Sequence, residues 1–280
     1  MRAALASATA ELTAAGVPSP RTDAELLAAH VLGVSRGRLI LVDDFSVEQL
    51  SIFRRLLTER ADRVPLQHLI GHVGFGDIDL AVGPGVFIPR PETELLVAWA
   101  LTKPASTVVD LCSGTGAIAL SVAHARPGAT VHAVENDPGA AAWLRRNADA
   151  RERDGDTPIE IIIGDVTDPA VPPTSLDGHV DLLLCNPPYV PEGTPVPDEV
   201  VHDPHAAVFA GPDGLAVIGP VVRRSATLLR PGGWVAIEHD DTHLTAVADL
   251  LAAADAYAAV EVHRDLAGRP RFTTAQRMAH

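Results

Sequence analysis

Thr107-Val-Val-Asp110-Leu-Cys112-Ser113-Gly114-Thr115-Gly116-Ala-Ile-Ala-Leu120 is the stretch on which the fold turns. An apolar, β-branched run gives way to two glycines and then to a helical pattern. Glycines at 114 and 116 let the backbone turn sharply and approach a ligand, and the helix behind them begins with unpaired N–H groups. The alternation continues downstream. Strands are expected over residues 107–111, 130–134, 159–163, 180–184 and 234–238, and helices over 116–125, 138–150 and 215–229. Strands alternating with crossover helices imply an α/β fold built on a doubly wound, mostly parallel sheet. Ligands on such sheets bind beyond the carboxyl ends of the strands, so the residues just after each strand carry the functional information.

Upstream, residues 1–63 form a small helical bundle by pattern. Thr22-x-x-Glu25 and Ser46-x-x-Gln49 have capping-box spacing, and each precedes apolar residues at intervals of three and four. Residues 64–90 change character: Pro65, glycines at 71, 74, 76, 83 and 85, and the alternating Ile78-Asp79-Leu80-Ala81-Val82 indicate a linker with a β-hairpin. The sheet domain then occupies 91–280.

Charge divides the chain in the same way. Of 280 residues, 22 are basic and 36 acidic, and the first 76 hold eight of each, so the whole net charge of −14 lies beyond them. That balance opposes a general polyanion binder, whose affinity needs a Lys/Arg surface. Asp154 to Val222 contains twelve acids and no Lys or Arg, an expected acidic rim for docking a basic partner. Two cysteines make no disulfide scaffold, and an N-terminus carrying Glu11 with no concentrated apolar run points to the cytoplasm and away from membranes. Twelve histidines show no metal-ligand spacing, and no metal is expected.

Three further loops carry chemistry. The second strand ends in Val134-Glu135-Asn136-Asp137-Pro138: Asp137 and Pro138 start a helix as N-cap and first residue, while Glu135, about twenty residues past the glycines, can accept from both hydroxyls of a ribose. Gly164-Asp165-Val166 places another carboxylate at the same edge, either to accept from an adenine amino group or to cap a turn. The chain lacks Gly-x-Gly-x-x-Gly, position 119 being alanine, which fits a cofactor without pyrophosphate. Together these loops resemble the S-adenosylmethionine-dependent methyltransferase fold, which is Rossmann-like.

The fourth strand is followed by Asn186-Pro187-Pro188-Tyr189. The Asn oxygen and a main-chain carbonyl can both accept from a planar –NH2, the prolines fix the backbone, and Tyr189 can pack on the flat group. An amide nitrogen is a poor nucleophile, so acceptors that hold it and stabilise developing positive charge lower the barrier without a dedicated base. The same motif serves adenine amines and glutamine amides. The acidic surroundings favour a peptide substrate over nucleic acid.

The whole chain resembles the HemK/PrmC protein-glutamine methyltransferases. Beyond the tetrapeptide, the resemblance rests on residues 12–33, on Pro65-Leu-Gln67 to Gly71, on Phe87-Ile-Pro89-Arg90-Pro91-Glu92-Thr93-Glu94, and on Asp265-Leu-Ala-Gly268-Arg269-Pro-Arg271, similar to a closing strand. It implies methyl transfer from S-adenosylmethionine to the glutamine amide of the Gly-Gly-Gln loop in class I peptide chain release factors. It assigns Cys112, Ser113, Gly114, Thr115, Gly116, Glu135, Asp165, Val166 and Asn186 to the cofactor, and Asn186, Pro187, Pro188 and Tyr189 to the glutamine, with Asn186, Pro187 and Tyr189 catalytic. Arg90 and Glu92 would shape the substrate entrance or simply form an exposed ion pair at a helix start. Cys112 stands where the family has glycine. Cys112 and Cys185 follow neighbouring strands and are expected as reduced thiols, a regulatory disulfide being the alternative. Remaining alternatives are a ribosomal-protein glutamine methyltransferase, an adenine N6 methyltransferase on nucleic acid, and a binding module without catalysis.

Overall fold

The computed structural model describes residues 1–279, which divide into two units. The first comprises residues 1–72, 82–84 and 196–202. Its helices are α1 (Arg2–Ala14), α2 (Pro20–Leu32), α3 (Val47–Ala61) and α4 (Leu66–Ile70). They close on a core that includes Leu12, Leu27, Phe53, Leu56 and Leu57. The Ser46 box forms as the sequence predicts, Ser46 accepting from the Gln49 N–H and the Gln49 side chain accepting from Ser46 N–H. The Thr22 box does not form. Helix α2 starts earlier, at Pro20 after Ser19, because proline's fixed φ suits the first helical position. Asp23 is buried instead to pair with Arg60 at 2.8 Å. Arg60 and Arg63 also hold Glu199, at 3.0 and 2.6 Å, and so bind the 196–202 segment into this unit.

The second unit carries the hairpin β1 (His72–Phe75) and β2 (Ile78–Ala81), whose inward residues Phe75, Ile78 and Leu80 are buried. Next come α5 (Thr93–Ala100), β3 (Thr107–Leu111), α6 (Ala117–Ala125), β4 (Thr130–Glu135), α7 (Pro138–Arg153), β5 (Glu160–Ile163) and β6 (Val180–Cys185). The chain ends with α8 (His205–Val208), α9 (Ile218–Leu228), β7 (Leu229–Glu238), α10 (Leu244–Ala253), β8 (Tyr257–Arg264) and β9 (Pro270–Arg277). The seven-stranded sheet has the order β5-β4-β3-β6-β7-β9-β8. Pairings from β5 to β7 are parallel, and β9 runs antiparallel to both neighbours. Residues 265–269, read from sequence as part of a closing strand, make the turn between β8 and β9: Asp265 N–H bonds to Arg269 O and Gly268 N–H to Asp265 O.

Side chains alternate across the sheet as the two-residue period of a strand requires. Val108, Leu182 and Leu184 face the layer of α5 and α6, while Val109, Leu111, Leu183 and Val235 face α9 and α10. Both faces are covered, which is why the strands read as nearly continuous apolar runs.

Candidate active site

From β3 the chain winds outward to β4 and β5, then returns to the other side of β3 as β6. The switch point therefore falls between β3 and β6, where this class of sheet binds ligands. Leu111 pairs with Cys185, so the loops Cys112–Gly116 and Asn186–Tyr189 leave the sheet side by side. Glu135 and Glu238 end the strands flanking them.

The glycine loop bends through left-handed conformations at Cys112 (φ 61°), Gly114 (φ 55°) and Gly116 (φ 88°). Cys112 thus adopts a backbone that glycine would take without strain. A Cβ on Gly116 would lie 2.6 Å from Leu144 Cδ1, so helix α6 can pack this closely only on glycine. A Cβ on Gly114 would meet nothing within 4 Å, leaving an open cradle. Glu135 organises this loop from below: it accepts from the N–H groups of Gly114 (2.8 Å), Asn136 (2.9 Å) and Asp137 (2.8 Å). Those bonds occupy three of about four acceptor positions of a carboxylate. Burial raises the Glu135 pKa and the three N–H bonds oppose the rise. Asp137 caps α7 through the Ala140 N–H, as its sequence position predicts. Asp165 caps a turn, its Oδ1 accepting from Thr167 N–H and hydroxyl at 2.8 and 2.7 Å. Val166 is buried in the core layer with Val134 and Cys185.

Asp110, unmarked by sequence reasoning, lies fully buried beneath the loop. Its Oδ2 accepts from Ala119 N–H at 3.2 Å and its Oδ1 has no hydrogen-bond partner. Burial pushes its pKa up to about 7, against the bonds from Ser113 and Ala119. A carboxyl whose folded pKa exceeds its unfolded one keeps its proton longer in the folded state, so stability falls as pH rises from about 4 to 7 and levels off above. Thermal midpoints measured at pH 5 and pH 8 should therefore differ less in Asp110→Asn than in the wild type. The open cradle, the unpartnered Asp110 oxygen and the Glu135 carboxylate suit a cofactor carrying hydroxyl and amino donors.

On the other loop, Asn186 Nδ2 donates to Thr93 Oγ1 at 3.2 Å and the Tyr189 hydroxyl donates to Glu238 Oε1 at 3.4 Å. Val190 is pinned by backbone bonds with Val208 and Ala210, both 2.9 Å. Gly214 (φ 73°) backs the Tyr189 carbonyl, where a Cβ would stand 2.2 Å away. Burial raises the pKa of Tyr189 and brings that of Glu238 up to about 7. Thr93 lies in the Phe87–Glu94 signature, Arg271 in the Asp265–Arg271 motif and Glu238 at the end of a predicted strand, but the sequence assigns none of them a role at the site.

Arg90 forms no exposed pair. Its guanidinium bonds Asp203, which is buried and also accepts from Ile88 N–H at 3.3 Å. The expected acidic rim is similarly spent: Asp154, Asp156, Asp177, Asp181, Asp198, Glu199 and Asp203, seven of the twelve acids in the base-free stretch, pair with arginines from outside it. Cys112 and Cys185 are free thiols, and burial raises Cys185 well above the usual thiol range. Among the described residues no group of three or more His, Cys, Asp or Glu is placed to hold a metal ion. No helix among them is long and apolar enough to cross a membrane.

Fold and site together define an S-adenosylmethionine-dependent methyltransferase. A methyltransferase from Pyrococcus furiosus shares the fold at a TM-score of 0.51 and 15% identity, covering 72% of this chain and 90% of its own. A T. thermophilus 16S rRNA methyltransferase solved with AdoMet and guanosine does so at 0.52 and 20%, covering 74% of this chain and 49% of that one. Residues 3–71 match the PrmC N-terminal domain and residues 78–206 the methyltransferase small domain. The release factor glutamine methyltransferase of Mycolicibacterium smegmatis is 51% identical, covering 100% of this chain and 98% of its own. That of Mycobacterium tuberculosis is 46% identical, over 100% and 92%. The chain belongs to the release factor glutamine methyltransferase family.

Proposed function

We propose that the protein transfers a methyl group from S-adenosylmethionine to the side-chain amide nitrogen of the glutamine in the Gly-Gly-Gln loop of class I peptide chain release factors, in the cytoplasm. The observation that carries this reading is the pairing of Leu111 with Cys185, which sets the glycine loop beside Asn186-Pro187-Pro188-Tyr189.

The cofactor, held by Cys112–Gly116, Glu135, Asp165, Val166 and Asn186, supplies an electrophilic methyl group on a sulfonium. Asn186 Oδ1 and the Pro187 carbonyl accept from the glutamine –NH2, which fixes its plane and aims its nitrogen. Pro187 and Pro188 hold those acceptors in place at no further conformational cost. Tyr189 packs against the amide. As the N–C bond forms and the methyl C–S bond breaks, its electron pair staying on sulfur as a neutral thioether, the nitrogen would become positive and both acceptors would stabilise it more strongly than in the ground state. The product amide then loses a proton, for which its own acidity suffices. Arg90 acts at the entrance through Asp203, Glu92 beside it lines the same approach, and the helical unit contributes recognition of the release factor. The chain's net charge of −14 opposes a nucleic-acid substrate.

Incubation with labelled S-adenosylmethionine and a class I release factor is expected to label the peptide containing Gly-Gly-Gln. Label that persists when that glutamine is alanine, or that passes at a comparable rate to adenine in an oligonucleotide, would overturn the assignment.

A further inference from the structure

The glutamine site has a buried support to which the sequence motifs assign no role. Glu238 ends β7, the strand beside β6, with only 1% of its surface exposed. Groups from three other segments converge on its carboxyl. The Tyr189 hydroxyl donates to Oε1 at 3.4 Å, Oε2 has no hydrogen-bond partner, the Thr93 hydroxyl at the start of α5 favours the ionised form, and Arg271 on β9 supplies the opposing positive charge. Asp265 in turn orients Arg271, accepting from its guanidinium at 3.1 Å.

Thr93 is the joint of this arrangement. Its oxygen accepts from Asn186 Nδ2 at 3.2 Å, and a hydroxyl has a single hydrogen. With an ionised carboxylate to take that hydrogen, the Thr93 oxygen can serve Asn186 only as an acceptor. The Asn186 amide is then locked with its nitrogen toward Thr93 and its Oδ1 on the opposite side. Without the carboxylate, Thr93 can turn its hydrogen toward Asn186 and the planar amide can flip, presenting a donor where the substrate –NH2 needs an acceptor.

We propose that Thr93 and Glu238 are positioning residues for the glutamine amide: Glu238 sets the direction of the Thr93 hydroxyl, Thr93 sets the orientation of the Asn186 amide, and the same carboxylate holds Tyr189. This rests on the glutamine reading above. One buried charge thereby fixes both ends of the Asn186–Tyr189 loop. The groups acting on Glu238 are Thr93 at the start of α5 and Glu92 just before it, Tyr189 and Cys185 from β6 and its loop, and Arg271 from β9, with Asp240 acting on Tyr189. Burial and Glu92 oppose ionisation, while Arg271, Thr93 and Tyr189 favour it; the locked state gains population as pH rises through neutrality.

The test compares Thr93→Val, Thr93→Ser and Glu238→Gln in the full chain. Kinetics are measured with S-adenosylmethionine and a class I release factor, and the Asn186 side-chain amide signals of the free enzyme are followed by NMR, assigned by their loss in Asn186→Ala. Thr93→Val should lower kcat about 100-fold with cofactor affinity unchanged, the scale expected when a reacting group is misaligned. Thr93→Ser, which keeps the hydroxyl, should restore kcat to within about threefold, inside the standing uncertainty of a single interaction. The Asn186 amide signals should shift in Thr93→Val and Glu238→Gln and stay in place in Thr93→Ser. Wild-type kcat in Thr93→Val, or a Thr93→Ser as impaired as Thr93→Val, overturns the proposal. If the wild type methylates no release factor, the substrate reading fails and the NMR comparison still decides: unmoved Asn186 signals in Thr93→Val overturn the positioning role, and shifted ones support it.

Discussion

Asn186→Ala should lower kcat for methyl transfer by about 100- to 1000-fold, leaving the thermal midpoint close to wild type and weakening S-adenosylmethionine binding far less than it lowers kcat. The magnitude follows from the fate of the amide nitrogen, which gains positive charge only as the methyl group arrives. An acceptor aimed at that charge contributes more to the transition state than to the bound substrate, and deleting one such group costs about 3–4 kcal/mol of barrier. Selectivity for kcat follows from the surroundings: Asn186 makes its side-chain bond to Thr93, not to the loop that cradles the cofactor. The change removes one 3.2 Å hydrogen bond from a half-buried side chain, so the fold loses little. Single-turnover rates and calorimetric titration of the cofactor separate the two effects. A large loss of cofactor affinity with an unchanged single-turnover rate would contradict this assignment of Asn186.

Glu135→Gln should act the other way, weakening S-adenosylmethionine binding by about two orders of magnitude, lowering the thermal midpoint and leaving kcat at saturation much less changed. Glu135 accepts three backbone N–H bonds from the two loops around it. A glutamine has one oxygen and one nitrogen, so an –NH2 must confront at least one of those donors in a site only 7% exposed. Each lost bond to a charged group is worth about 1.5–3 kcal/mol, and 1.4 kcal/mol is a factor of ten in affinity. The Gly114–Gly116 bend would relax because its main anchor has become a repulsion. Since burial raises the Glu135 pKa, wild-type cofactor affinity should also weaken toward acid pH, beginning above the usual carboxylate range, and Glu135→Gln should remove that dependence. Titration calorimetry across pH 5–8 measures both; a pH-dependent affinity that survives in Glu135→Gln would assign it to another group.

Much of this site is legible in the sequence alone. The apolar runs of β3, β4, β5 and β6 and their glycine, acid and Asn-Pro-Pro-Tyr endings lie within a few residues of one another in sequence, and backbone preference alone marks them. Asp137-Pro138 and Ser46-x-x-Gln49 were readable for the same reason, since a helix cap is settled within four residues. Thr22-x-x-Glu25 matched the same spacing and misled, because Pro20 started the helix sooner and Asp23 found Arg60, 37 residues away. Charge misled likewise: a stretch without a single Lys or Arg is an acidic rim only if its acids stay unpaired, and seven of them do not.

The sequence by itself determined the strand-and-loop order, the glycine turn, the acid that follows the second strand and the tetrapeptide that receives an amide. Each is a local property of the chain, written in φ preferences and hydrogen-bonding groups a few residues apart. Only the tertiary structure decided what supports them. It brought Thr93, Asn186 with Tyr189, Glu238 and Arg271 from four separated segments to one edge of the sheet, and it used Asp203 to occupy Arg90. Those meetings depend on the order and register of strands, Leu111 beside Cys185 and Cys185 beside Ile237, and register is set by the packing of both sheet faces together.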